Sequence, residues 1–313
     1  MKYVNTKDVP LPIKVWLVND TYDGKSDSKY ISATQLLKSV KQIVLTKQVN
    51  DSEDLEVDIA SMVPARVGTA IHDSIEKAWL DMKSDELKEF GVNSKIEINP
   101  SEPKEGTIPV YIEQRKTKEI NGYTIGGKFD FVVDGLLHDI KSTSVFTYIY
   151  GSHDEDYKLQ GSIYKWLNPD IITEDYIRIC FVFTDWKEGN VASNDKYPKS
   201  RVCYKDIPLY TTAEIENYIT HKLDAITKCL DKSEDLIPDC TDEELWLSDP
   251  VFKYFSKPDA SRASKVFDSK SDAMAYLSIT KQGVGEIREV KGKAKRCMYC
   301  PANIICKQKK LYD

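Results

Sequence analysis

Asp130, Asp139 and Lys141 are the residues whose types and spacing could do chemistry. They lie in Gly126-Gly-Lys-Phe-Asp-Phe-Val-Val-Asp-Gly-Leu-Leu-His-Asp-Ile-Lys141. Asp134-Gly135, set between apolar runs, is a strong signal for a two-residue hairpin turn. With those two as the loop, Val133 pairs with Leu136, Val132 with Leu137, Phe131 with His138 and Asp130 with Asp139. Directly opposed Cβ atoms lie about 4.5–5.5 Å apart, so two carboxylates there repel unless something positive sits between them. A divalent cation is the natural compensation, because hard cations such as Mg2+ take oxygen ligands. Period-two alternation puts Lys141 on the face of Asp139. There it can orient or deprotonate a water, or offset charge on a phosphate. Taken alone, the pattern is equally that of a solvated polar sheet face.

The elements that must position these residues are legible in outline. A helical apolar face runs through Val67, Ile71, Ile75, Ala78, Trp79 and Met82 in a segment from about 64 to 88. His72 and Glu76, four apart on that segment, share a helix face. A neutral imidazole suits a transition metal such as Mn2+, although His72 on its own reads as a satisfied core histidine. Strands are expected at Ile108–Glu113, Tyr123–Val133 and Leu136–Lys141, and a continuous apolar, central strand at Ile177–Thr184. A helix over Asp156–Leu167 puts Gln160 and Tyr164 on one face. A helix start capped by Ser32 or Thr34, a helix over 211–232 and a short one near 270–279 complete the pattern. Residues 46–60 are charged and only weakly periodic. This order predicts a mixed α/β core with helices packed on a central sheet.

Four pieces in this order, Gly68-x3-His72-x3-Glu76, Asp130, Asp139-Ile140-Lys141 and Gln160-x3-Tyr164, resemble the RecB-like branch of the PD-(D/E)XK nuclease superfamily. That branch includes phage exonucleases and CRISPR-associated RecB-type exonucleases. The likeness covers about residues 64–185 well and the tail more loosely. It implies a restriction-endonuclease-like core with a mixed central sheet, and a Mg2+- or Mn2+-dependent deoxyribonuclease. The activity implied is that of an exonuclease, with single-strand preference a further expectation, serving DNA recombination, repair or phage DNA processing. His72, Asp130, Asp139 and the backbone carbonyl of Ile140 would then be metal ligands. Lys141 would be the catalytic lysine, with Asp139, Asp130 and Glu76 in the catalytic set, and Gln160 and Tyr164 would help to place DNA. The competing reading is a non-catalytic DNA-binding or scaffolding module on the same fold.

Cys297-Met-Tyr-Cys300-Pro-Ala-Asn-Ile-Ile-Cys306 gives C-x2-C-x5-C. Three cysteines so close suggest a metal site, which wants a fourth ligand. Cys240 is the best candidate, because it sits in a loop-like stretch, whereas Cys180 lies in an apolar strand. Iron–sulfur RecB-like nucleases have a similar C-terminal trio, often with the fourth cysteine upstream of the nuclease motifs. This chain has no cysteine before Cys180 and departs from that pattern. A [4Fe–4S] cluster is the first expectation and structural Zn2+ the alternative. Arg288, Lys291, Lys293, Lys295, Arg296, Lys307, Lys309 and Lys310 make the tail basic, a candidate for phosphate neutralisation, with Tyr254 and Tyr299 near enough in sequence to stack on bases.

The 313 residues carry a net charge of −6, so binding nucleic acid calls for local basic patches rather than a basic protein. Seven cysteines, an odd number, and a polar N-terminus without a signal-peptide core argue against a disulfide framework. A cytoplasmic protein with no membrane attachment is expected. The expected parts are a helical and loop region over 1–60 packed on the core, the nuclease core over 61–235 and a metal- or Fe–S-binding region over 236–313. DNA is the expected partner, and whether a helicase or recombination protein joins it, and in what oligomeric state, is left open by the sequence.

Overall fold

The computed structural model of the chain describes residues 2–19, 29–50, 56–82, 86–192 and 194–312. It divides into two compact units, Met1–Leu37 with Asp54–Asp224 and Lys38–Glu53 with Ala225–Asp313. The expected parts meet at 60/61 and 235/236, and the compact units change over at 37/38, 53/54 and 224/225. The described part of 38–53 belongs with the C-terminal part because Val44 and Leu45 pack with Cys229, Ile237 and Ala302.

In the first unit, β1 (Lys2–Val4) pairs in parallel with β3 (Glu56–Asp58), and α1 (Leu11–Val18) lies between them in sequence. β2 (Tyr30–Ser32) leads into α2 (Ala33–Leu36). Of the two expected caps, Ser32 is the one used: its hydroxyl accepts from Gln35 N–H and its N–H donates to Gln35 Oε1, a capping box. The long helix is α4 (Val63–Asp81). Then come β4 (Lys95–Ile98), β5 (Thr107–Ile112), β6 (Arg115–Ile120), β7 (Tyr123–Lys128), β8 (Phe131–Val133) and β9 (Leu136–Thr143). They are followed by α5 (Val145–Tyr150), α6 (Asp154–Leu167), β10 (Tyr176–Phe183), β11 (Val202–Pro208) and α7 (Thr212–Cys229), whose residues from Ala225 on belong to the second unit.

The main sheet has the order β11-β10-β9-β8-β5-β4. Pairs β4/β5 and β9/β10 are parallel and the others antiparallel, so this is the mixed sheet flanked by helices that the sequence predicted. β10 lies one strand in from the β11 edge. Its side chains alternate, with Ile177, Ile179, Phe181 and Phe183 buried on one face. On the other face Ile71, Ile75 and Trp79 of α4 pack against Val110, Ile112, Phe131 and Ile140. Each such side chain, once buried, contributes roughly 1.5–3 kcal/mol. A second sheet, β2-β7-β6, shares two chain passages with the first. β5 passes into β6 through Glu113-Gln114, and β7 into β8 through Phe129-Asp130. The two passages are bonded to each other: Glu113 N–H donates to the Asp130 carbonyl (3.0 Å) and Phe129 N–H to that of Gln114 (3.4 Å).

The second unit holds α3 (Val40–Asn50), a helix not foreseen, which overlaps the segment read as charged only over residues 46–50. Val44 and Leu45 of α3 pack with Cys229, Ile237 and Ala302. β12 (Val251–Phe255), β13 (Lys265–Phe267) and β14 (Glu286–Val290) form an antiparallel sheet ordered β13-β12-β14. The short helix expected near 270–279 is α8 (Lys270–Ala275), extended by a wider turn over Tyr276–Thr280. Among the described residues no helix is long and apolar enough to cross a membrane.

Candidate metal centre and cysteine cavity

The hairpin closes in the register read from the sequence. Asp134 and Gly135 both take positive φ, 49° and 82°, as a two-residue turn of the primed type requires. Phe131 pairs with His138, Val132 with Leu137 and Val133 with Leu136. Asp130 lies just beyond β8, opposite Asp139 by extension of that pairing. Its carboxylate curls across the strand end, where Oδ2 accepts from Ile140 N–H (2.8 Å). In a strand the N–H and C=O of one residue point to the same side. The Ile140 carbonyl therefore faces the same gap at the end of β8.

Side chains from three other elements meet there. His72 stands next to Ile71 at the edge of the buried face of α4, and its Nδ1 lies 3.4 Å from Asp130 Oδ2. Asp139 is buried, and Lys141 Nζ lies 2.6 Å from its Oδ2. Glu113, at the joint between β5 and β6, was not anticipated. Ligand atoms of His72, Glu113 and Asp130 all lie within 4.8 Å of one another. Glu113 also pairs with Lys128. Glu76 is half-buried and close enough to raise the Glu113 carboxyl by charge. No pattern in the sequence marks Glu113. What brings it to Asp130 is the passage of two strands from one sheet to the other at the same level.

The electrostatics follow from burial and pairing. Burial pushes the Asp139 carboxyl up to about 6, against the pull of Lys141. Burial also opposes ionisation of Asp130, but the hydrogen bond with His72 and the Ile140 N–H outweigh it and hold this carboxyl below its ordinary range. The same bond holds His72 above its ordinary value. Burial works to lower the Lys141 ammonium, yet Asp139 and Asp130 outweigh it and hold it above. Glu113 is held up first by burial and then by Asp130 and Glu76, with Lys128 opposing. Three carboxylates thus face two ammonium groups. The excess negative charge, together with one imidazole and several carboxylate oxygens, fits a divalent cation.

Gln160 and Tyr164 reach the site as buried support. Both are buried. Gln160 Oε1 lies 3.5 Å from Lys141 Nζ, and its amide donates to the Tyr164 hydroxyl (3.0 Å). The Tyr164 ring covers Gly127, where a Cβ would come within 2.8 Å of it. Lys141 Nζ also lies 5.5 Å from the centre of the Tyr157 ring.

In the second unit Cys240, Cys297, Cys300 and Cys306 line one concave cavity, together with Lys41, Arg296 and Gln308. None of the four is in a disulfide. Gln308 holds the Cys240 backbone by two hydrogen bonds of 2.9 and 2.8 Å, and Ser39 Oγ lies 3.1 Å from Cys240 Sγ. The cavity therefore brings the four cysteines singled out in the sequence to one place. The basic tail is partly spent internally. Arg288 pairs with Glu286, Arg296 lies over the Trp246 ring and Lys307 pairs with Asp235 (2.8 Å). Tyr299 is exposed, but Tyr254 is buried in β12 with its hydroxyl bonded to the Val284 carbonyl. Tyr254 is therefore not available to stack on a base.

No family model and no curated protein matches the sequence. Among solved structures the chain is similar to a phage-related exonuclease from Haemophilus somnus 129PT, at 16% identity over 66% of this chain and 95% of that one, with a TM-score of 0.29. It is likewise similar to an alkaline exonuclease from Laribacter hongkongensis, at 12% identity over 65% and 90% of the two chains, with a TM-score of 0.35.

Proposed function

We propose that the chain is a divalent-metal-dependent DNA nuclease that hydrolyses phosphodiester bonds. The observation that carries the reading is the convergence of His72, Asp130, Asp139 and Lys141 at the open end of β8. His72, Asp130, Asp139 and the Ile140 carbonyl would hold Mg2+ or Mn2+. Bound there, the ion supplies Lewis-acid stabilisation of the phosphate and activation of water.

The protein residues have separable tasks. Lys141 keeps its proton at neutral pH, since its ammonium is held above its ordinary value. It therefore offers positive charge to the phosphate rather than acting as a base. Asp139 anchors Lys141 from one side and Gln160 supports it from the other. Gln160 and Tyr164 thus place DNA indirectly, through the lysine. Glu76 adds charge beside Glu113 and stands behind the ligands rather than among them.

Exonuclease action on single strands is the finer reading, and α5 supports it. Tyr148 of α5 packs edge-on against Phe181 and Phe183, and Phe181 is the β10 partner of Lys141. Two residues are 200° of helix, so Phe146 and Tyr150 point away from that contact. They are 59% and 75% exposed and stack on each other, with ring centres 6.2 Å apart and 11° between planes. Such a platform, on the helix that follows the strand of Lys141, suits unpaired bases. By the same reading the setting is DNA recombination, repair or phage DNA processing. The four thiols would hold a [4Fe–4S] cluster or structural Zn2+, pinning the tail, and iron, sulfide and zinc content of anaerobically purified protein distinguishes the two.

The test is incubation with end-labelled single- and double-stranded DNA in Mg2+, Mn2+ or EDTA. Cleavage that needs the metal and favours single strands is the expected result, and the product ladder gives its polarity. No cleavage of any substrate in either metal contradicts the proposal.

A further inference from the structure

We infer that Glu113 is a ligand of the cation at this site, and that Lys128 occupies its carboxylate until the cation displaces it. The inference rests on the metal-site reading above. It assigns a residue outside the four motifs that the sequence offered.

Three independent features of Glu113 point the same way. Its carboxylate comes within 4.8 Å of ligand atoms of both His72 and Asp130, whereas Asp139 is engaged with Lys141. Its backbone sits at φ +52°, a left-handed conformation that an ordinary side chain rarely adopts. A glycine or asparagine would satisfy a mere bend there at less cost. The bend is fixed by the bond from Glu113 N–H to the Asp130 carbonyl, so the two carboxylates are mounted on one joint and keep their spacing. Finally, the Glu113 side chain is only 18% exposed, and Lys128, on β7 next to the same joint, compensates its charge. Lys128 is thus paired with a carboxylate that lies beside two other donors, His72 and Asp130. When the ion enters, the ammonium of Lys128, 38% exposed, can swing to solvent on its flexible stem. Lys128 would then compete with the metal for one oxygen donor without blocking His72 or Asp130.

The experiment is Mn2+ binding without DNA, by calorimetry and by electron paramagnetic resonance, on the full chain and on the variants Glu113→Gln, Lys128→Met and Asp130→Asn. Folding of each is checked by circular dichroism. The inference expects Glu113→Gln to weaken Mn2+ binding about tenfold or more, the scale seen when groups of a metal site are removed. It expects Lys128→Met to tighten binding about threefold or more, because one competing positive charge is gone. The tightening stands as a test by itself should Glu113→Gln fail to fold. Wild-type affinity in both variants, with binding weakened in Asp130→Asn, overturns the inference and leaves the metal site standing. No Mn2+ binding by the unmodified chain overturns both.

Discussion

Ile140 N–H donates to Asp130 Oδ2 over 2.8 Å, so the residue between Asp139 and Lys141 holds the aspartate on the neighbouring strand. The bond lies where the β8/β9 pairing stops, beyond Phe131 and His138. It also depends on a turn that fixes the register, and several consequences can be measured.

The turn should be intolerant at Gly135. Its φ is 82°, and a Cβ there would lie 2.1 Å from Thr173 Oγ1. Gly135→Ala is expected to cost about 1–3 kcal/mol in unfolding free energy and to weaken Mn2+ binding. Asp134→Gly, which accepts positive φ freely, should do neither. Urea denaturation and calorimetry on the two variants check this.

Gln160 should matter to rate and little to DNA affinity. Its amide is buried and bridges Lys141 and Tyr164. Gln160→Ala is expected to slow cleavage about tenfold or more, with the DNA dissociation constant changed less than about threefold. A large loss of DNA affinity at unchanged rate would instead make it a direct DNA contact.

Phe146 and Tyr150 should do the reverse. Replacing both by alanine removes two exposed rings, at about 1–3 kcal/mol per stacked base. Binding of single-stranded DNA should weaken at least about fivefold, with thermal stability within a few degrees of the unmodified chain. Equal effects on single- and double-stranded DNA would remove the support these rings give to single-strand preference.

Metal binding should strengthen as pH rises from about 5 to 7.5. The Asp139 carboxyl is held up near 6 and His72 above its ordinary value, so at low pH protons occupy donors that the metal needs. For the metal-free protein the sign is the opposite. Both groups titrate higher in the fold than in the unfolded chain. Their contribution to stability is complete below their unfolded values and is lost as pH rises through the folded ones. Melting curves at pH 5 and pH 7.5 should show a Mn2+-induced rise only, or mainly, at the higher pH. An equal rise at both would contradict the assignment of these donors.

The hairpin was legible in the sequence because Asp134-Gly135 admits one turn geometry and period-two alternation carries the register to Asp139 and Lys141. His72 was legible because helical spacing ties it to Ile71 and Ile75, whose burial orients α4. Glu113 was not, because its neighbour Asp130 is seventeen residues away across a joint between two sheets, and nothing local marks a glutamate at positive φ. The C-terminal sheet was also missed. Its strands are short and separated by polar loops, and the pairing of Tyr254 with Ile287 is set by partners far along the chain. α3 escaped notice because its apolar residues, Val40, Ile43, Val44, Leu45 and Val49, fall around the helix rather than along one stripe.

The most direct measurement of the central claim is single-turnover DNA cleavage in Mg2+ by the unmodified chain and by Lys141→Met, with Mn2+ affinity measured on the same samples. The account predicts that Lys141→Met binds Mn2+ at least as tightly, having lost a positive charge, yet cleaves at least about a hundredfold more slowly. Cleavage by Lys141→Met at the unmodified rate, or no metal-dependent cleavage by either, would contradict it.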